Sequence, residues 1–245
     1  MKQFFLLSIS FLLIYSCVYK NEEDAYYSTP GNKTNTLDSG LMAHFCFQNS
    51  LVDSSKNNVT GTFNGTPVYG DFGPGNRAIV FNGTDNYFEI PVGNHDTIAI
   101  SLFFKGDAAL STSQKPYLLD YGQGAISLDL DAVSGGTYIV VNDVELNNPE
   151  ENWISSFDGW NNIYIEAVLS SKQFKIIYNS SKKADLVVSS SLAGNLTVKN
   201  ESLIIGHNSS ISSGNSYFKG LVDDIRIYDR KLTVIELHQI TGILR

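Results

Sequence analysis

From Leu41 onward the chain repeats one pattern: a short apolar run closed by Gly, Asn, Ser or Asp. That repetition restricts it to a fold of many short strands. Leu41, Ala43, Phe45 and Phe47 alternate with Met42, His44, Cys46 and Gln48, which predicts a first strand with one apolar face. Short segments follow at Thr62–Phe63 and Pro67–Tyr69. Ala78–Phe81 and Tyr87–Ile90 read as strands joined by Asn82-Gly83-Thr84-Asp85-Asn86, residues that tolerate positive φ. Ile98–Lys105 carries bulk on both parities and reads as a central strand. Further strands are expected near Tyr117–Tyr121, Ile126–Leu130, Thr137–Val141, Asn161–Leu169, Gln173–Tyr178, Asp185–Ser189 and Leu203–Gly206. Many strands at short intervals predict an all-β sandwich or jelly roll, and 13 Tyr, 14 Phe and 20 Gly suit strands joined by turns. Only one segment reads as a helix: Thr233 and Glu236 form a Thr-x-x-Glu capping box, with Leu232 before it as a staple residue.

The stretch feeding that helix, Tyr217 to Tyr228, contains the sharpest conflict with the pattern. Leu221, Ile225 and Ile227 share a parity, and so does Asp223, which places a carboxylate among aliphatic neighbours. Such a group must be paired, hydrogen-bonded or metal-bound, because an isolated buried charge costs on the order of several kcal/mol. Asp224, of opposite parity, reads as a solvated surface residue.

The first forty residues are not globular in character. Met1-Lys2-Gln3 followed by the apolar run Phe4 to Tyr15 fits a secretory signal, too short for a comfortable membrane span. The run ends Ile14-Tyr15-Ser16-Cys17, which resembles a bacterial lipobox. The resemblance implies a signal peptide over residues 1–16 and lipidation of Cys17, with Tyr15 bulkier than the usual residue there. The alternative is an ordinary cleaved signal with an incidental Cys. A diacylated cysteine holds a protein at a membrane through many buried methylenes, each worth ~0.8 kcal/mol. Glu22-Glu23-Asp24 resembles a surface-export tag of some Gram-negative lipoproteins, or else is a charged part of the tether. Residues 17–39 as a whole read as an acidic, flexible tether. The expected address is the outer membrane, at the cell surface.

The globular remainder, residues 40–245, carries a family likeness. Gly40 to Phe47, the loop Asp53-Ser54-Ser55-Lys56-Asn57, the strand pair Ala78 to Ile90 and Ile98 to Lys105 resemble bacterial laminin-G-like, concanavalin A-like jelly-roll domains. So do Trp160 to Ile165 and, most specifically, Phe218 to Tyr228 with Leu232, Thr233 and Glu236. The implied fold is a jelly-roll sandwich of two antiparallel sheets with one short C-terminal helix. In similar jelly rolls the Asp at the position of Asp223 often helps bind a structural calcium, with carbonyls from the first strand and a nearby loop. The competing reading is that Asp223 accepts backbone N–H bonds without metal.

Catalytic patterns are absent from the sequence. Related jelly-roll glucanases carry paired carboxylates as Glu-x-Asp-x-x-Glu on one strand, and no such spacing occurs here. Ser127-Leu128-Asp129-Leu130-Asp131 offers two Asp without a Glu partner. The histidines are scattered, and no nucleophile elbow or phosphate loop is present. A net charge of −8 with interspersed signs argues against nucleic acid as a partner. These features predict a non-catalytic lectin-like surface lipoprotein that binds carbohydrate or mediates adhesion. The alternatives are a structural or protein-interaction subunit of a surface assembly and a divergent glycosidase. Its expected partners are a glycan or a surface protein, and the membrane through Cys17. Trp153, among polar neighbours, is the leading candidate to stack on a sugar; Tyr121 and Tyr217 are weaker ones, and Trp160 reads as core.

Overall fold

β-Branched and aromatic residues at period two need a second apolar layer to cover them, and the chain supplies it by folding two sheets face to face. The computed structural model describes residues 36–71, 77–106, 115–133, 136–141, 144–145, 159–180, 183–191, 197–211 and 216–241. After a 3-10 turn at Thr36–Asp38 the strands are β1 Leu41–Phe45, β2 Thr62–Phe63, β3 Tyr69–Asp71, β4 Arg77–Asn82, β5 Phe88–Pro91, β6 Thr97–Gly106, β7 Tyr117–Tyr121 and β8 Ile126–Val133. They continue as β9 Gly136–Val141, β10 Val144–Glu145, β11 Asn161–Val168, β12 Gln173–Ser180, β13 Lys183–Ser191, β14 Ser202–Ile205 and β15 Lys219–Tyr228, before helix α1, Val234–Thr241. The eight-stranded sheet runs β13-β12-β11-β6-β15-β4-β3 with β1 also beside β15, and the seven-stranded sheet runs β10-β9-β8-β7-β14-β5-β2. All pairings between these strands are antiparallel. The two-sheet sandwich with one C-terminal helix is the expected concanavalin A-like architecture.

Between the sheets lies the main core. Ile98, Ile100, Leu102 and Phe104 of β6, with Ile163, Ile165, Val222, Ile225 and Ile227, join Phe88, Ile90, Leu119, Leu128, Leu203 and Ile205 of the other sheet. Phe45 and Phe47 both meet Phe88 edge-on, at 5.0 and 5.4 Å. Phe47 does this from outside the strand: β1 ends at Phe45, and Phe47 adopts φ 49°.

β6 is central, between β11 and β15, and its other face is covered as well. There Ala99 and Phe103 join Tyr164, Ile177, Tyr228 and the C-terminal Leu232, Leu237 and Ile240 in a second cluster, on which Trp160 packs half-buried. The helix begins where the capping box places it. Thr233 Oγ1 accepts from Glu236 N at 3.3 Å and Thr233 N donates to Glu236 Oε2 at 2.8 Å, while the staple residues Leu232 and Leu237 are both buried in this cluster.

Candidate functional site

The closing strand carries a β-bulge. β15 pairs with β6 on both sides of an irregularity between Asp223 and Arg226, where one extra residue is inserted and Asp224 takes φ 49°. At the same point its other neighbour changes from β4, with Leu221 opposite Val80, to β1, with Arg226 opposite His44. The extra residue shifts the parity. Val222 faces the core before the bulge and Ile225 and Ile227 face it after, so Asp223, opposite Phe103, lies on the outer face of the sheet. This corrects the expectation that Asp223 shares a face with Ile225 and Ile227.

Asp224 is likewise not a solvated residue. It is 5 % exposed, and its Oδ1 meets His44 Nε2 at 2.5 Å and Arg226 Nε at 3.1 Å. Burial alone would raise its pKa, but the guanidinium of Arg226 and the hydrogen-bonded His44 outweigh this and hold the carboxyl well below its usual range. Asp223, fully buried, accepts the backbone N–H of Asp224 at 2.8 Å.

Groups that the calcium reading invokes beside Asp223 have protein partners. Asp224, the neighbouring carboxylate, is committed to the Arg226 guanidinium and the His44 imidazole. The first-strand carbonyls of Leu41 and Met42 receive the Asn57 amide at 2.7 and 2.9 Å. Among the described residues no group of three His, Cys, Asp or Glu comes together as a metal site. The Asp53 loop beside β1 is closed by its own backbone: Asp53 accepts from His44 N, Ser55 N and Val59 N at 2.8–2.9 Å. Burial raises the Asp53 pKa, and the Ser55 hydroxyl with these three N–H groups lowers it further, to a net depression.

Seven carboxylates are buried among the described residues, and all have partners. Besides Asp53, Asp223 and Asp224, Asp120 accepts from Gly124 N and from Ser209 N and Oγ. Glu166 accepts from Tyr164 and lies 3.5 Å from Lys231, and Glu236 is held by Arg230. Asp129, the acidic residue of β8 whose side chain is described, is also engaged. A free acid and base flanking a cleft, as glycoside hydrolysis requires, is not among these groups.

A different arrangement stands at the opposite end of β15. The ring of Tyr217 lies flat on His207, with centroids 4.1 Å apart and planes at 7°, and the ring of Tyr87 is tilted by 37° at 5.9 Å from His207. All three rings are half-buried. His207 follows Gly206, whose φ of +88° turns the chain out of β14; a Cβ there would lie 2.6 Å from the Phe81 ring. Ser216 Oγ fixes His207 Nδ1 at 3.2 Å, and burial lowers the His207 pKa below the ordinary histidine value. Tyr87 is placed by the loop before it. Asn82 Oδ1 accepts the N–H groups of Thr84, Asp85 and Asn86, and Asn64 N donates to Tyr87 O. An uncharged ring stack with hydroxyl and imidazole edges can hold a flat, amphipathic ligand.

Of the stacking candidates, Tyr217 belongs to this group. Tyr121 is fully buried, donating to Gly93 O at 2.7 Å, and is a core residue. Trp153 and Cys17 lie outside the described residues. Sequence reasoning passed over Tyr87 and His207. The signal they share with Tyr217 is an aromatic ring next to a turn residue at a strand boundary: Asn86, Gly206 and Ser216 precede them.

A laminin-G-type family model, described as the concanavalin A-like lectin/glucanases superfamily, matches residues 82–238. No curated protein matches the sequence. Among solved structures, domain 4 of an extracellular arabinanase from Geobacillus stearothermophilus, solved with arabinotriose, is similar over 84% of this chain and 98% of that one, at 21% identity and a TM-score of 0.60. The structure of botulinum neurotoxin type C described as dependent on two ganglioside molecules for cell entry is 12% identical over 86% of this chain, with a TM-score of 0.60. The binding domain of botulinum neurotoxin DC, in complex with rat synaptotagmin II, is 9% identical over 85%, also at 0.60. The chain spans 52% of each toxin chain, and at these identities the likeness is one of fold. The family match covers well over half of the sequence, and the chain belongs to the concanavalin A-like lectin/glucanases superfamily.

Proposed function

We propose that this protein is a cell-surface lipoprotein, anchored through Cys17, whose domain binds carbohydrate and does not catalyse. The observation that carries the non-catalytic part is the commitment of the buried carboxylates: of the seven described, six are held by a backbone amide, a hydroxyl or a cationic side chain, and Asp129 is engaged as well. A carboxylate so engaged is a fold-fastening group, unsuited to trading protons with a glycosidic oxygen. Carbohydrate as the ligand is supported by membership of a lectin/glucanase superfamily and by a similar domain solved with arabinotriose. The lipobox-like leader over residues 1–16 and the acidic tether 17–39 support export and anchoring at the outer membrane. Asp223 acts as a metal-free fastening residue of the closing strand.

A glycan array with the full-length chain in detergent tests the reading, beside Trp153→Ala as a second candidate. Binding to a defined set of glycans supports it. Silence on host, dietary and bacterial glycans would move the assignment to a protein-interaction role, which a toxin domain of this fold in complex with synaptotagmin II favours as the second reading. Metabolic labelling with a fatty acid, lost in Cys17→Ala, tests the anchor.

A further inference from the structure

We infer that the stack of Tyr87, His207 and Tyr217 is the seat of a neutral saccharide ring, at the end of the domain remote from the tether. The inference rests on the carbohydrate-binding reading and assigns it a site. Tyr217 makes its ring contact with His207 on one face, and no other ring contact of Tyr217 is found among the described residues. Nor do Tyr87 Oη, Tyr217 Oη or His207 Nε2 make a hydrogen bond to a described residue, whereas three of the four buried phenols, those of Tyr121, Tyr164 and Tyr178, do. A half-buried aromatic face with polar atoms that have no hydrogen-bond partner among the described residues matches a sugar ring, which has a flat C–H face and hydroxyls at its rim.

The stack is also pre-ordered, which lowers the cost of binding. Gly206 sets His207, Ser216 Oγ hydrogen-bonds its Nδ1, and the Asn82 and Asn64 bonds hold the loop and backbone at Tyr87. No lysine, arginine or carboxylate hydrogen-bonds to the three rings among the described residues. With a chain net charge of −8, this favours a neutral sugar over a uronic or sialic acid.

Position supports the assignment. β15 starts at Lys219, two residues after Tyr217, and ends at Tyr228 beside Leu41. Its ten residues, at ~3.3 Å each, span roughly 30 Å. At the far end Arg230 grips the entering segment, donating to Ser39 O and Thr36 O at 2.7 and 2.8 Å. The described end of that segment and the rings therefore lie at opposite ends of β15.

The test is an affinity series with the full-length chain in detergent, using the strongest neutral oligosaccharide from an array of neutral and acidic glycans. Tyr217→Ala is expected to weaken binding about tenfold with an unchanged melting temperature, and Tyr217→Phe to bind nearly as well as wild type. If Tyr217→Ala melts early, Tyr87→Ala is read by the same criterion. Wild-type affinity in a folded ring-deletion variant overturns the site while leaving the carbohydrate reading intact, as does binding confined to acidic glycans. Wild-type protein that binds no glycan overturns both.

Discussion

Asp224 of the last strand and His44 of the first meet at 2.5 Å, and with Arg226 they form a buried charged cluster that joins the two ends of the domain. The cluster is possible only because the bulge puts Asp224 on the outer face beside its partners. Replacing Asp224 by Ala leaves Arg226 half-buried, at 13 % side-chain exposure, without its carboxylate. The expected cost is about 3–5 kcal/mol, measured by chemical denaturation. A loss below 1 kcal/mol would mean that the cluster does not fasten the strands.

The metal-free reading of Asp223 predicts that millimolar calcium and a chelator leave the melting temperature unchanged. A metal that binds only the folded state raises it with concentration. A calcium-dependent rise of several degrees, abolished in Asp223→Asn, would restore the cation.

Acid should loosen the C-terminal clasp in a defined window. Glu236 receives two hydrogen bonds from Arg230, at 2.7 and 3.0 Å, and others from Thr233. The Arg230 bonds, opposed by burial and aided by Thr233, lower the Glu236 pKa from 4.5 to about 2. A depressed carboxyl pKa contributes stability that is complete above 4.5 and lost as pH falls towards 2. Asp53 and Asp224 act in the same direction, so the readout is a difference. Wild type should lose its stability advantage over Glu236→Gln between pH 4.5 and pH 2, followed by denaturation at several pH values. An advantage that does not change with pH would contradict the assignment.

Gly206→Ala tests the turn that places His207. A Cβ at φ +88° would sit 2.6 Å from two atoms of the Phe81 ring. Strain and overpacking together should cost about 2–4 kcal/mol and reduce glycan binding. A variant with wild-type stability would show that the turn is not required.

Much of the fold was legible because it is local. Thr233 and Glu236 announced the helix start by spacing alone, and the strands read at Ala78–Phe81, Tyr87–Ile90 and Ile98–Lys105 are present with their ends moved by one residue. The closing strand defeated a parity argument because a bulge inserts one residue and the sequence shows no mark of it. Asp224 is not glycine, yet it takes the left-handed conformation to reach His44 and Arg226. The ring stack was hidden for another reason: its members lie far apart in sequence, at positions 87, 207 and 217, and only the β4–β5 turn and the ends of β14 and β15 bring them together. A histidine alone carries no such message.

Binding without catalysis can be read by incubating the full-length chain with the oligosaccharide it holds best and measuring reducing ends over time. The oligosaccharide should be retained intact, with no release above the protein-free control. Reducing ends that accumulate in proportion to protein would contradict this, and would require a carboxylate pair outside the seven buried ones.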